Sequence, residues 1–280
     1  MQAAGPTTSP PSCCNAMLHN LGQLVRYRGL IQSLVARELK ARYRGSVLGF
    51  FWSFINPLLL LLVYSFVFGY ILPPDFRDIP NYSLFMFCGI LPWTWFTSSL
   101  LESTGVLISG GNLIKKVLFP AEVLPIVTVL ANMAHFAFGL PILALFLLYF
   151  RAPVTPGELL WFPVTMFVQL IFTLGCALLL SALTVHFRDI RDILGHLLTI
   201  WFFATPIIYS YKRFAGTPLE KMLDYNPMSH LIITYQEILY FIGPVGHAKW
   251  LLVLGAISIV WFLFGYFVFN RLRDTFAEEV

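Results

Sequence analysis

Few ionisable residues fall inside or beside the long apolar runs of this sequence, and each narrows what the chain can do. Glu102 lies within the run Leu84–Ile108. A carboxylate at membrane depth is costly enough to require a partner or a function. Two readings follow: a place on a transport path, or a position near the end of the run from which it snorkels or pairs with Lys115 or Lys116. His135, three residues after Asn132 in another apolar run, reads as a hydrogen-bonding group between helices. A proton relay would need a chain of such residues, which the remaining runs lack. A glycan-modifying enzyme would need convergent acid and base groups, and only the scattered Glu220, Asp224 and Glu237 are on offer. No G-x-x-x-x-G-K-[ST], H-E-x-x-H or G-x-S-x-G occurs, and no Cys and His cluster. The sequence therefore predicts no nucleotide site of its own, no metal and no intrinsic catalysis.

The basic residues are unevenly spread. Six of the eighteen Lys and Arg (Arg26, Arg28, Arg37, Lys40, Arg42 and Arg44) stand just ahead of the first long apolar run. Aromatic residues make up 16% of the chain; most read as lipid-facing or packing groups, with Trp and Tyr near span ends in the usual interfacial belt. Trp52, Tyr64, Phe68, Trp93, Trp95, Trp201, Phe202 and Tyr209 are candidates to line a path. Flat rings can hold sugar rings by stacking without fixing one register, which suits a polymer that slides.

The elements that must position these residues are membrane helices. Hydrophobic residues form 58% of the 280 and charged residues 11%, against roughly 25% charged in soluble domains. About 20 apolar residues cross the hydrocarbon core. The runs predict spans at about 50–72, 84–108, 123–150, 160–186, 193–209 and 250–269, with a kink at Pro141 and an interruption at Pro206. The fold class is an all-α polytopic membrane protein. Residues 1–20 read as a disordered tail, with a second start at Met17, 21–46 as an amphipathic interface helix, 47–270 as the six-span domain and 271–280 as a cytosolic tail. Ser210–Lys249 is too polar for a span and too apolar for a plain loop. It predicts a re-entrant hairpin of two short helices, Leu219–Leu223 and Leu231–Ile242, parted by Asn226-Pro227. With a cytosolic N-terminus, twelve Lys and Arg lie inside and six outside, so both termini and the loops Gly111–Pro120 and Phe187–Asp192 are placed in the cytosol. Cys13, Cys14, Cys88 and Cys176 have no metal-ligand spacing and form no disulfide framework.

The segments RELKARYRGSVLGFFWSFINPL, NLIKKVLFPAEVLP, FRDIRDI with FFATPIIYS, and NPMSHLIITYQEILY resemble type-2 ABC exporter permeases, in the branch that exports polysaccharides such as O-antigen, capsule or teichoic acid. The resemblance runs in order from about Leu21 to Asn270. It implies a homodimer in the bacterial cytoplasmic (inner) membrane, with two copies of a separate ATPase that binds the ATP and Mg. No cofactor is implied for this chain and no nucleic acid. It further implies that Leu30–Arg44 is a gate helix, that Asn112, Lys115, Lys116, Arg188, Asp189 and Arg191 meet the ATPase, and that Lys212–Ile242 forms the outer gate. Spans 1 and 5 would border the conduit. The usual cargo is a glycan on a polyprenyl diphosphate, to which Arg37, Lys40, Arg42 and Arg44 offer charge; as plain positive-inside residues they would look the same. Tyr235-Gln236 departs from the Tyr-Arg of many relatives. The alternatives are an exporter of a small molecule or lipid and an ion-coupled secondary transporter, whose repeated broken helices are matched here only around span 5.

Overall fold

Long apolar runs punctuated by Pro and Gly give a helical bundle. The computed structural model describes residues 27–42, 44–46, 48–67, 71, 79, 81–111, 115, 119–152, 154–214, 216–241 and 243–276. Among the described residues there is no strand. In chain order the helices are α1 (Arg28–Arg42), α2 (Trp52–Phe66), α3 (Tyr82–Ser109), α4 (Val123–Tyr149), α5 (Pro156–Leu159), α6 (Trp161–His186), α7 (Ile190–Phe203), α8 (Pro218–Asp224), α9 (Pro227–Leu239) and α10 (Ala248–Leu272).

Among the described residues, four helical stretches are long and apolar enough to cross a membrane: α3, α4, α5 with α6, and α10. The spans expected first and fifth correspond to α2 and α7, whose described extents of 15 and 14 residues fall short of about 20. Phe68, most of the loop Pro73–Tyr82 and the tail 1–20 lie outside the described residues.

Proline placement explains several boundaries. Pro156, Pro218 and Pro227 each open a helix, where a missing N–H costs nothing. Asn226 Oδ1 accepts from the Met228 N–H and caps α9, so that helix starts four residues before the expected Leu231. Pro57, Pro92 and Pro141 lie inside helices that continue across them, and α4 is a single helix through Pro141. Span 5 ends at Phe203, and Pro206 lies in the turn that follows.

The core is centred on α3, which packs against α4 and α6 and also meets α2, α7 and α9. Phe96 of α3 stacks on Phe172 of α6 at 5.8 Å and meets Trp201 of α7 edge-on at 5.4 Å. The α9 helix is almost wholly buried, with Tyr235 set between Phe136 and Phe162. Hydroxyls in this apolar surrounding bond back along their own helices, as Ser99 does to the Trp95 carbonyl and Thr173 to that of Gln169.

The most extensive helix pair, α6 with α10, depends on two glycines. A Cβ on Gly265 would overlap the carbonyl oxygen of Gly175, and one on Gly175 would come within 2.9 Å of the Phe262 Cα. Without a hydrophobic driving force between helices in lipid, such close backbone approach is how they hold together. Gly265→Val should therefore destabilise the detergent-solubilised protein by about 1–3 kcal/mol or more in a thermal or denaturant unfolding assay. Gly195→Ala is the control, because no atom stands within 4 Å of its added methyl, and it should be neutral or stabilising by up to about 1 kcal/mol.

Candidate functional site

The basic helix α1 lies along the bundle with most of its surface exposed. Ile31, Leu34 and Val35 form its apolar contact with Val123 and Val127 of α4. Its end is fixed by charge. Arg42 Nη2 donates to Glu102 Oε2 at 2.6 Å, and Arg42 Nη1 donates to Asn132 Oδ1 at 3.1 Å. Asn132 Nδ2 donates to the same Glu102 oxygen at 2.7 Å and to the Thr128 carbonyl at 3.1 Å. Three helices thus meet in one closed polar triangle. Of the partners its sequence position brought forward, Lys115 is not the one that meets Glu102 among the described residues; its cation comes from the end of α1.

Beside this triangle opens a recess of about 510 Å³ between α1, α2, α3 and α4. Its wall is mixed: Arg42, Ser46, Ser53, Asn56, Thr94, Ser98, Asn132 and His135 alternate with Trp52, Trp95 and Phe136. Trp52 Nε1 donates to Ser46 Oγ at 3.0 Å, closing the turn between α1 and α2. His135 meets the Phe138 ring edge-on at 6.1 Å. A largely apolar recess next to a basic helix, with Leu60, Phe87, Ile90 and Leu91 also in its wall and polar side chains set among them, can receive a group with both apolar and hydroxyl-bearing faces.

A second polar region surrounds the break after α7. Pro206 stops the helix, so the carbonyls there need donors from elsewhere. Asn226 Nδ2 supplies Ala204 O at 3.0 Å and Thr205 Oγ1 at 3.1 Å, while its Oδ1 accepts from Trp201 Nε1 at 2.8 Å. Gln236 Nε2 donates to the Pro206 carbonyl at 2.9 Å. Gln236 is thus a buried stitch holding the hairpin to the broken helix. Near the hairpin, Tyr211 donates to Asp224 at 2.9 Å and approaches Glu220 at 3.3 Å. Burial, then those carboxylates, keeps its phenol protonated far above the usual range. Glu237 faces His247 Nδ1 at 2.8 Å and accepts from the His247 N–H at 3.0 Å. Glu220 and Asp224 thus share the Tyr211 hydroxyl, and Glu237 holds His247, whose ring meets the Tyr211 ring edge-on at 5.5 Å; each carboxylate is engaged in a structural contact.

Residues 29–240 match the family described as ABC-2 type transporter. The chain belongs to that family. It is 41% identical over 266 residues to the O-antigen export system permease protein RfbA of Myxococcus xanthus, covering 94% of this chain and 100% of the relative. A Klebsiella pneumoniae protein of the same description is 31% identical, at 94% and 98% coverage. The polysialic acid transport protein KpsM of Escherichia coli is 26% identical over 215 residues, 74% of this chain and 80% of the relative. The protein is a component of a membrane transporter.

In this ABC-2 transporter chain, Arg37 and Lys40 are exposed along α1 and Arg44 is exposed in the turn beyond it, whereas Arg42 is engaged by Glu102. Lys115 is exposed in a turn, its N–H donating to the Gly111 carbonyl. Asn112 and Lys116 lie outside the described residues. Arg188 and Asp189 are exposed in the turn between α6 and α7, and Arg191 on the first turn of α7 passes 3.9 Å from where a Cβ would sit on Gly105 of α3. Of the aromatic candidates, Trp52 and Trp95 border the recess. Trp93, 5% exposed, is a core ring wedged among Phe96, Trp201 and Phe202. Tyr64 is half-buried against the core, and Tyr209 donates to the Phe203 carbonyl at 3.0 Å.

The Arg42 and Glu102 side chains keep 26% and 40% of their surface exposed, so water screens the pair. A double-mutant cycle of Arg42→Gln with Glu102→Gln should give a coupling of about 1 kcal/mol in unfolding free energy. Lys115→Gln with Glu102→Gln should be additive to within about 0.5 kcal/mol. The opposite ranking would return Glu102 to the lysines.

Proposed function

We propose that this chain is the membrane-spanning subunit of an ATP-driven exporter that moves a polysaccharide, carried on a polyprenyl diphosphate, out across the bacterial inner membrane. What carries the reading is the end-to-end likeness to a protein described as an O-antigen export permease. The recess beside Arg42, mixed polar and aromatic, agrees with it. Two copies of the chain would work with two copies of a separate ATPase, which holds ATP and Mg. Both termini, and the loops around Lys115 and Arg188, face the cytosol in this scheme, following the excess of Lys and Arg on that side.

In the proposed cycle this chain's residues bind and guide, and the partner drives. Exposed Arg37, Lys40 and Arg44 on and beside α1 raise the local concentration of an anionic head group at the membrane surface. Trp52 offers a flat face beside the hydroxyls and amides of the recess, which can exchange hydrogen bonds with a passing sugar, while Trp95, stacked on Phe136, backs its wall. The turn before α7 receives the push of the ATPase and transmits it to a helix whose far end is stitched to the hairpin through Asn226 and Gln236.

The test is reconstitution. The purified permease should hydrolyse no ATP alone and gain activity with the ATPase encoded beside it. Lys115→Glu with Arg188→Glu should lower polymer export at least about tenfold while membrane insertion is retained, as expected when like charges are set against a docking surface. Export unchanged in that variant would remove the docking assignment, and export of a small molecule but no glycan would overturn the cargo.

A further inference from the structure

The chain does not leave the bundle where α10 ends. After Leu272 it makes a tight turn, Arg273–Thr275, and buries Phe276 completely, with its ring 5.2 Å from that of Phe269. This short segment touches the ends of both loops that connect the long helices on that side. Arg273 Nη1 stands 3.8 Å from Glu122 Oε2, two residues past Pro120, where the loop from α3 enters α4. Thr275 Oγ1 lies 3.2 Å from Nε2 of His186, the last residue of α6 and the one before the turn Phe187–Asp192. The Thr275 hydroxyl also reaches the Leu272 carbonyl at 2.7 Å; with its proton given there, the oxygen is left to accept from the tautomer of His186 that carries its proton on Nε2. Phe276 shares one apolar cluster with Ala121 and Leu124 on the α4 side and Ala182 and Val185 on the α6 side.

These contacts are more than tail packing. Glu122 is 5% exposed and its Oε2 has no hydrogen-bond partner. A carboxylate so placed is tolerated when a cation stands near, and Arg273 is within ion-pair range of it. We propose that Arg273–Phe276 is a clasp that makes the two segments joined to the ATPase-facing loops move as one body, with Arg273, Thr275 and Phe276 as positioning residues for coupling. The role in transport rests on the exporter reading above; the mechanical tie between the segments does not.

Two measurements separate these levels. In the purified permease alone, hydrogen exchange is followed at residues 119–123 and 184–190. Phe276→Ala should raise exchange in both segments together by about fivefold or more, and Phe276→Leu should restore most of the protection. A change confined to residues 273–280 would overturn the clasp. In the complex with its ATPase, the readout is polymer exported per ATP hydrolysed. Arg273→Ala with Glu122→Gln removes both charges, leaves no buried ion behind and should fold normally. It should lower that ratio about fivefold or more while ATP hydrolysis continues. His186→Gln, which keeps an N–H at the same reach, should hold the ratio near the unmodified value, and His186→Leu should lower it. An unchanged ratio in the double variant and in His186→Leu would overturn the coupling role. If the unmodified complex hydrolyses no ATP or exports no polymer, the exporter reading fails, and the exchange experiment still decides the clasp.

Discussion

In an apolar bundle most polar groups withdrawn from water find a partner inside the protein, and those contacts fix how the helices meet. Glu102 can sit on the otherwise apolar α3 because Arg42 reaches it from α1 and Asn132 from α4. The carbonyls left open after α7 are answered by Asn226 and Gln236 of the hairpin. Gln169 of α6 donates to the Pro92 carbonyl within α3 at 2.8 Å. Each polar group joins two elements that apolar packing would leave free to slide, because hydrophobic contact in lipid carries little directional preference.

The bundle is correspondingly uneven. The α3 and α9 helices are enclosed, whereas α2, α7 and α10 turn large apolar side chains outward, among them Leu62, Val63 and Phe66, then Ile193, Leu197 and Ile200. On α7 these exposed residues recur every three or four positions and form one stripe. Such a surface belongs against hydrocarbon or another apolar helix, not against water. A helix that is short, apolar on one side and charged at its first turn can respond to a push at that turn without disturbing the α3 core. Its opposite side meets α3 through Trp201, whose indole is itself held by Asn226.

The lengths of the apolar runs were enough to place α3, α4, α6 and α10 to within a few residues, since about 20 residues per crossing is a geometric requirement that composition alone exposes. The two short helices parted at Asn226-Pro227 were legible, though the second starts at Pro227 because the Asn cap and first-turn proline act together. Partner choice was not legible. Glu102 lies closer in sequence to Lys115 than to Arg42, yet the ion pair spans 60 positions because α1 folds back along α4. Helix rotation was equally hidden. Nothing in the run around Trp93 says that its ring packs among Phe96, Trp201 and Phe202 while Trp95, two positions on and equally buried, stacks on Phe136 behind the wall of the recess. Gln236 was noted as a departure in charge. Its use as a donor to Pro206 becomes visible only once the break after α7 and the burial of α9 are both known.

The two polar centres differ in how firmly they hold. The Arg42 to Glu102 pair remains partly in water, where separating the charges costs on the order of 1 kcal/mol because each is rehydrated. The Gln236 contact closes over the Pro206 carbonyl in the protein interior, with Gln236 1% exposed, and the Asn226 contacts beside it are part-buried. Breaking the Gln236 contact leaves a buried carbonyl unmatched, at about 1–3 kcal/mol. An applied force therefore parts α1 from α3 and α4 before it parts the hairpin from α7. Motion at the recess can proceed by exchange of partners on Arg42, while the hairpin and the end of α7 travel together as one piece.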